Sequence, residues 1–239
     1  MQEATQAFCN HVINASSPGY EDYADEESVC SLITEYKTPQ DRFAWHSVEM
    51  NYGIPLELLT LVRKTTDLIS MQRQLGHDIP VSGISSLEAE ILDWPLDEVI
   101  QGFDAAPVSQ ESKLVMQHYT RAMHTATVIY FCCKVQKMNS RHLQGYCSEV
   151  MSSLEAIQEV KRTYGMNTGH MPWPAFVAGA LAKSHALRSR ALEWFSAITC
   201  EGIGTSTLAK RALLYVWEQA DSRRSWETID TSALELVLT

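Results

Sequence analysis

Positive charge is scarce in this sequence. Lys and Arg number 19 against 29 Asp and Glu, for a formal charge of −10. A surface of that sign repels a phosphate backbone, so direct nucleic-acid contact is not expected of this chain. Long apolar runs are missing as well. Runs such as Val128 to Cys133 fall far short of the ~20 residues that cross a bilayer as a helix, and no membrane partner is expected. Residues 1–27 carry Glu21, Asp22, Asp25, Glu26 and Glu27 and no apolar core of the kind a secretory leader needs. The six cysteines stand at 9, 30, 132, 133, 147 and 200 without a C-x-x-C pair. In an intracellular protein such thiols are reduced core residues. No stretch alternates apolar and polar residues with period two, and no internal repeat is present, so strands are not expected.

What is present is a helical pattern. At 239 residues, 45% hydrophobic and 20% charged, the chain suits one substantial domain that buries roughly 70% of its unfolded surface. Residues 1–27, ending in SSPGYEDYADEE, are expected to form an acidic arm or linker, and 28–239 the domain. A first helix is expected from Ser28, with Val29, Leu32, Ile33 and Tyr36 on one face. Thr38, Pro39 and Asp41 then give a helix start, with Phe43, Trp45 and Val48 inward. Pro55 opens a helix to about Leu75 with an apolar stripe of Leu58, Leu61, Val62, Thr65, Leu68 and Ile69. Gly76 to Gly83 is expected as a loop, and Ser85 with Glu88 as a capping box for a helix carrying Leu87, Ile91 and Trp94 inward until Pro95. Residues 96–110 are expected as a mobile connection. The longest helix is expected over Gln110–Met138, with Val115, Tyr119, Ala122, Ala126, Ile129 and Cys133 on its main face, and serves as the central axis. Ser140 is expected to cap the next helix, with Leu143, Tyr146, Val150, Leu154 and Ile157 inward, and Lys161 to His170 to form a polar loop. The fold class is therefore all-α, a single helical domain of about eight to ten helices around a long central helix.

The densest stretch runs from Met171 to Trp217. Pro172 and Pro174 bracket Trp173 at a helix start, where a missing N–H costs nothing. Phe176, Val177, Ala180 and Leu181 follow at helical spacing. Ser184 can cap a second helix with Leu187, Ala191, Trp194 and Ile198 on one stripe. Gly202 and Gly204 break the chain before a third, with Leu208, Ala212 and Tyr215 on one face and Trp217 near its end. PWPAFVAGALA, the EWF helix, the Gly-x-Gly break and the helix ending in VW resemble the fungal-specific transcription factor domain. This is the regulatory region that lies downstream of a two-zinc, six-cysteine DNA-binding module in fungal regulators. YGIPLELLTLVRKTTDL at 52–68, LEAEILDWP at 87–95, YTRAMHTATVIYF at 119–131 and the closing DSRRSWETID extend the resemblance, in the family's order, from about Ser28 to Asp230. The basic six-cysteine module and the family's helices upstream of Ser28 are not found. The chain is expected to be either a fragment or a stand-alone protein, and a shortened form could bind the partner of its full-length relatives and block them.

Chemical motifs are few. His118, His124, Cys132, Cys133, His142 and Cys147 form a zinc-type ligand set, yet their spacing fits no short motif, and Cys132 and Cys133 point about 100° apart on a helix. No metal and no cofactor are expected. GIGTSTLAK at 202–210 lacks the strand and the Gly-Lys-Ser/Thr order of a phosphate loop, and reads as a helix stop followed by a Thr205/Ser206 cap. No G-x-S-x-G elbow or cysteine-protease signature occurs, and Glu88, Glu90 and Asp93 read as a solvated face. No catalytic residues are assigned. Lys183, Arg188, Arg190, Lys210 and Arg211 either dock an anionic partner or meet nearby carboxylates.

The nine methionines leave two readings of the interior. One is a plain helical core. The other is a cavity that reshapes around a small apolar ligand, since Met116 and Met123 share a face with Tyr130. The candidate ligand-binding residues are Met116, Tyr119, Met123, Thr127, Tyr130, Trp173 and Phe176. The resemblance favours the second reading, because some members of that family sense hydrophobic metabolites in this region. It further implies a transcription-regulator-like protein in the nucleus, or moving into it from the cytoplasm. Its partners would be transcriptional partner proteins, full-length relatives, a hydrophobic small molecule or a second copy forming a homodimer. The alternative is a helical domain recruited as a small enzyme or binder in a metabolite biosynthetic pathway, guided by His118, Tyr119, His124 or Tyr130. A third is a structural assembly subunit.

Overall fold

A computed structural model of the chain describes residues 53–75, 81–167, 169–199 and 204–221. The expected arm over 1–27, the helix from Ser28, the start signal at Thr38, the Gly202 break and the closing segment from 222 lie outside these residues. Among the described residues every regular element is helical. They are α1 (Leu56–Leu75), α2 (Val81–Leu92), α3 (Leu96–Gly102), α4 (Gln110–Lys134), α5 (Gln144–Tyr164), α6 (Pro172–Leu181), α7 (His185–Thr199) and α8 (Gly204–Asp221). Short 3-10 turns at Phe103–Ala105 and Ser140–Leu143 lead into α4 and α5. No helix among the described residues is long and apolar enough to cross a membrane.

The central helix is α4, 25 residues and about 37 Å long. Ser109 caps it by accepting from the Ser112 amide at 3.2 Å. Helices α1, α2, α3, α5 and α6 all pack on it, and every residue from Thr125 to Lys134 is buried. Its end comes earlier than the expected Met138. Lys137 takes a left-handed φ of 56°, and the amides of Val135 and Gln136 both turn back to the Phe131 carbonyl. A left-handed residue cannot propagate an α-helix.

A second helix is even more enclosed. From Trp173 to Leu181 every residue of α6 is buried, because α4, α5, α7 and α8 surround it. A helix that is apolar all round must lie inside other elements, and PWPAFVAGAL carries no polar side chain to send outward. Gly179 allows the closest approach. A Cβ there would meet Leu213 at 3.1 Å and Ala191 at 3.3 Å. The stripes expected for α1 and α7 are both buried as drawn.

Several expectations are corrected. The helix α2 already includes Val81 to Gly83, so Ser85 and Glu88 lie inside it and form no capping box. Residues 96–105 fold as α3 and a 3-10 turn rather than a loose connection. Asn139, not Ser140, caps the turn that precedes α5, accepting from the Arg141 amide at 2.9 Å. Tyr146 and Tyr215 are exposed; in α8 the buried row is Ala209, Ala212, Leu213 and Val216. The expected polar loop at 161–170 begins as helix, over 161–164. The helix α5 runs to Tyr164, Gly165 adopts φ +64°, and the Met166 amide returns to the Lys161 carbonyl at 2.9 Å, a left-handed helix stop that glycine supplies without steric cost.

Candidate functional site

The candidate ligand residues fall on two elements, α4 and α6, which pack against each other. Met116, Tyr119, Met123, Thr127 and Tyr130 come from α4, Trp173 and Phe176 from α6, and all seven are buried. Tyr130 and Trp173 meet edge-on, with ring centroids 5.8 Å apart at 77°, a favourable aromatic geometry. The Thr127 hydroxyl donates to the Met123 carbonyl at 2.8 Å and is satisfied within α4. Met116 lies at one end, so close to Gly53 that a Cβ on that glycine would sit 2.5 Å from the Met116 Cα. The seam is thus not one cluster. Met116 packs toward the start of α1, while Tyr130 packs against α6.

The segment entering α6 ties the seam shut. The Tyr119 hydroxyl donates to the Gly169 carbonyl at 3.0 Å, and Trp173 meets Tyr130 three turns further along α4. Inside this strap lies a polar group that the sequence reading missed. Lys161 and His170 are both buried, at 6% and 9% exposure. Lys161 Nζ stands 2.9 Å from His170 Nε2 and 3.5 Å from the Gly169 carbonyl. Trp194 of α7 packs edge-on to the His170 ring at 6.0 Å. Lys161 to His170 looks like a solvated loop in sequence. Only the left-handed stop at Gly165, which folds His170 back over α5, brings the two side chains together.

The other candidates are dispersed. His124 bonds the Ile91 carbonyl at 2.9 Å and stacks on Trp94 at 5.4 Å. Burial holds its pKa below the ordinary imidazole value, against the opposing pull of the Ile91 carbonyl and Glu149. His118 is lowered by burial and by the Arg121 charge. Cys132, Cys133 and Cys147 are buried and form no disulfide, and burial raises Cys147 to about 12. Among the described residues no group of three His, Cys, Asp or Glu side chains is placed to hold a metal ion.

Three of the basic residues of the corner, Arg188, Arg190 and Lys210, meet groups of this chain. Arg190 forms a two-pronged pair with Glu155, at 2.7 Å on each arm, and also donates to Ser148 and Ser152. Arg188 lies 5.1 Å over the Trp217 ring and donates to the Ala182 carbonyl. Lys210 donates to Ser196 at 2.8 Å. Of the two options for these cations, meeting nearby groups is the one seen for Arg190.

The model of the family described as "Fungal specific transcription factor domain" matches residues 6–235. Arginine metabolism regulation protein II of Saccharomyces cerevisiae is 22% identical over 207 residues, covering 83% of this chain and 23% of its own length. The chain thus spans about a quarter of that relative. No solved structure matches.

Proposed function

Because the chain belongs to the fungal specific transcription factor domain family, we propose that it is a regulatory domain of transcription, working through protein partners and a small apolar effector that enters the seam between α4 and α6. Its place of action is the nucleus. The observation that carries this reading is the position of the seam: α4 and α6 together touch every other helix described. A displacement of one against the other therefore reaches the whole surface, and an effector that prefers one packing shifts the population of the two.

The test is a reporter assay with the full chain fused to an unrelated DNA-binding module. Transcription is expected to differ from that of the module alone, and Phe176→Ala is expected to alter the output while Glu159→Gln is not. Native mass spectrometry of the purified chain is expected to show a bound small molecule or a second copy. A fusion indistinguishable from the bare module, together with a bare monomer in the mass spectrum, would overturn the reading.

A further inference from the structure

The helix α8 has two faces. Its buried row, Ala209, Ala212, Leu213, Val216 and Trp217, belongs to a helix that packs on α6 and α7. The exposed residues between 206 and 220 are Thr207, Arg211, Leu214, Tyr215 and Glu218. Their spacing of three and four puts them on one stripe. Among the described residues other large apolar side chains left exposed stand singly, as at Met71, Leu92 and Tyr146, whereas Leu214 and Tyr215 are neighbours, at 48% and 43% exposure. Scattered apolar residues are ordinary on a surface, but a contiguous apolar patch rimmed by polar groups marks an interaction site.

The order of charges along the stripe identifies the occupant. Arg211 stands three residues before Leu214, and Glu218 three after Tyr215. The pattern has a centre between Leu214 and Tyr215, with opposite charges about 5 Å to either side along the helix axis. A two-fold interface uses the same patch on both subunits and so needs a patch complementary to itself. An antiparallel pair of α8 helices meets that need. Leu214 and Tyr215 of the two copies come together at the two-fold axis, and Arg211 of each copy faces Glu218 of the other. A parallel pair would set Arg211 against Arg211 and Glu218 against Glu218, which repel. Glu218 also has a partner within its own chain, and a carboxylate accepts from several donors at once.

We propose that this stripe is a homodimer interface, in which two copies of the chain pair their α8 helices antiparallel about an axis between Leu214 and Tyr215. One stripe of an 18-residue helix belongs to the small class of interfaces, below about 1,200 Å², so dimer and monomer exchange at micromolar concentrations. The pairing needs no effector, and its residues are not those of the α4–α6 seam.

Sedimentation velocity of the full chain tests it over a micromolar concentration series. At physiological salt the Debye length is about 8 Å, which screens the repulsion between two chains of charge −10. A concentration-dependent dimer is expected. Leu214→Asp sets unpaired charges at the two-fold axis and is expected to weaken it at least about tenfold. Arg211→Glu and Glu218→Arg each make both cross-pairs repulsive and are expected to weaken it about tenfold. The double variant Arg211→Glu/Glu218→Arg restores the attraction and is expected to return within about threefold of wild type. Circular dichroism is expected to be the same for all, because these residues are exposed. A monomer at every concentration would overturn the dimer, while an active reporter fusion beside it would leave the regulatory reading standing. A dimer that Leu214→Asp leaves intact would place the interface elsewhere and overturn the assignment to α8. A double reversal that fails to recover would overturn the antiparallel pairing.

Discussion

The indole N–H of Trp217 donates to the carbonyl of Gly179 across 2.9 Å, fastening the last described helix to the most enclosed one. The same carbonyl accepts from the Ala182 amide at 3.0 Å, and Arg188 covers the outer face of the indole. Trp217→Phe removes the donor and leaves the carbonyl one partner. Urea titration is expected to show a loss of about 1 kcal/mol, near the net worth of one buried hydrogen bond. Trp217→Ala is expected to cost about 3–5 kcal/mol through the cavity it opens.

Two glycines with nearly the same backbone angle separate strain from crowding. Gly53 (φ +65°) faces the Met116 backbone, whereas Gly165 (φ +64°) has open space where a Cβ would go. Gly165→Ala is expected to cost about 1–2 kcal/mol, the penalty for a left-handed L-residue. Gly53→Ala carries that penalty plus a clash that backbone cannot relieve. Thermal unfolding is expected to rank it clearly below Gly165→Ala, and equal melting temperatures would refute the close approach.

Arg190 is half-buried and its partner Glu155 more exposed, at 30% and 41% of their side-chain surfaces. Solvent screening therefore limits the pair to about 0.5–1 kcal/mol. Arg190→Lys keeps the charge and loses the fork. It is expected to forfeit most of that stability, because two parallel bonds to one carboxylate need a planar guanidinium. The difference from wild type is expected to shrink in 1 M salt.

Stability is expected to fall as pH drops below the ordinary imidazole value. His118 and His124 both have folded pKa values lowered from 6.5, burial being the larger cause in each. A histidine whose folded pKa is depressed favours the folded state in its neutral form. Its contribution is complete above the unfolded value and is lost as pH falls through the folded one. Denaturation midpoints between pH 7.5 and 5.5 are expected to decline, and the decline to flatten in a His118→Gln/His124→Gln double variant. An unchanged slope in that variant would assign the effect to other groups.

Cys147 is 0% exposed with a pKa raised to about 12, and Cys132 is raised as well, first by burial and then by Glu88. The thiolate is the reactive form. Iodoacetamide at pH 8 is expected to leave both unmodified in the native protein and to label them only at denaturant concentrations that unfold it. Rapid native labelling of Cys147 would contradict its burial.

The interior of the fold was readable where a helix buries one stripe. In α1 the spacing of Leu58, Leu61, Val62, Leu68 and Ile69 is enough, and the same holds for Leu187, Ala191, Trp194 and Ile198 in α7. Each buries one stripe against its neighbours, so periodicity carries the signal. Helix ends were less readable. The early stop of α4 depends on the left-handed turn at Lys137, a residue type with no special liking for that conformation. Gln144 shows the same limit. Its side chain donates to the Ser140 and Leu181 carbonyls and accepts from the Lys183 amide, joining the start of α5 to the end of α6 across 37 positions. No local pattern announces such a bond.

By itself the sequence determined the class of the protein, helices without strands, and the family that its Pro-Trp-Pro corner and ordered apolar stripes resemble. Those properties follow from residue type and spacing along one chain. Only the tertiary structure decided that α6 is enclosed on every side, that Arg190 pairs with Glu155 (35 positions earlier), and that Lys161 and His170 are buried against one another. Burial of a charged or polar side chain is set by the elements that close over it, and these come from distant parts of the chain. A lysine in a polar-looking segment carries no mark of the helices that will cover it.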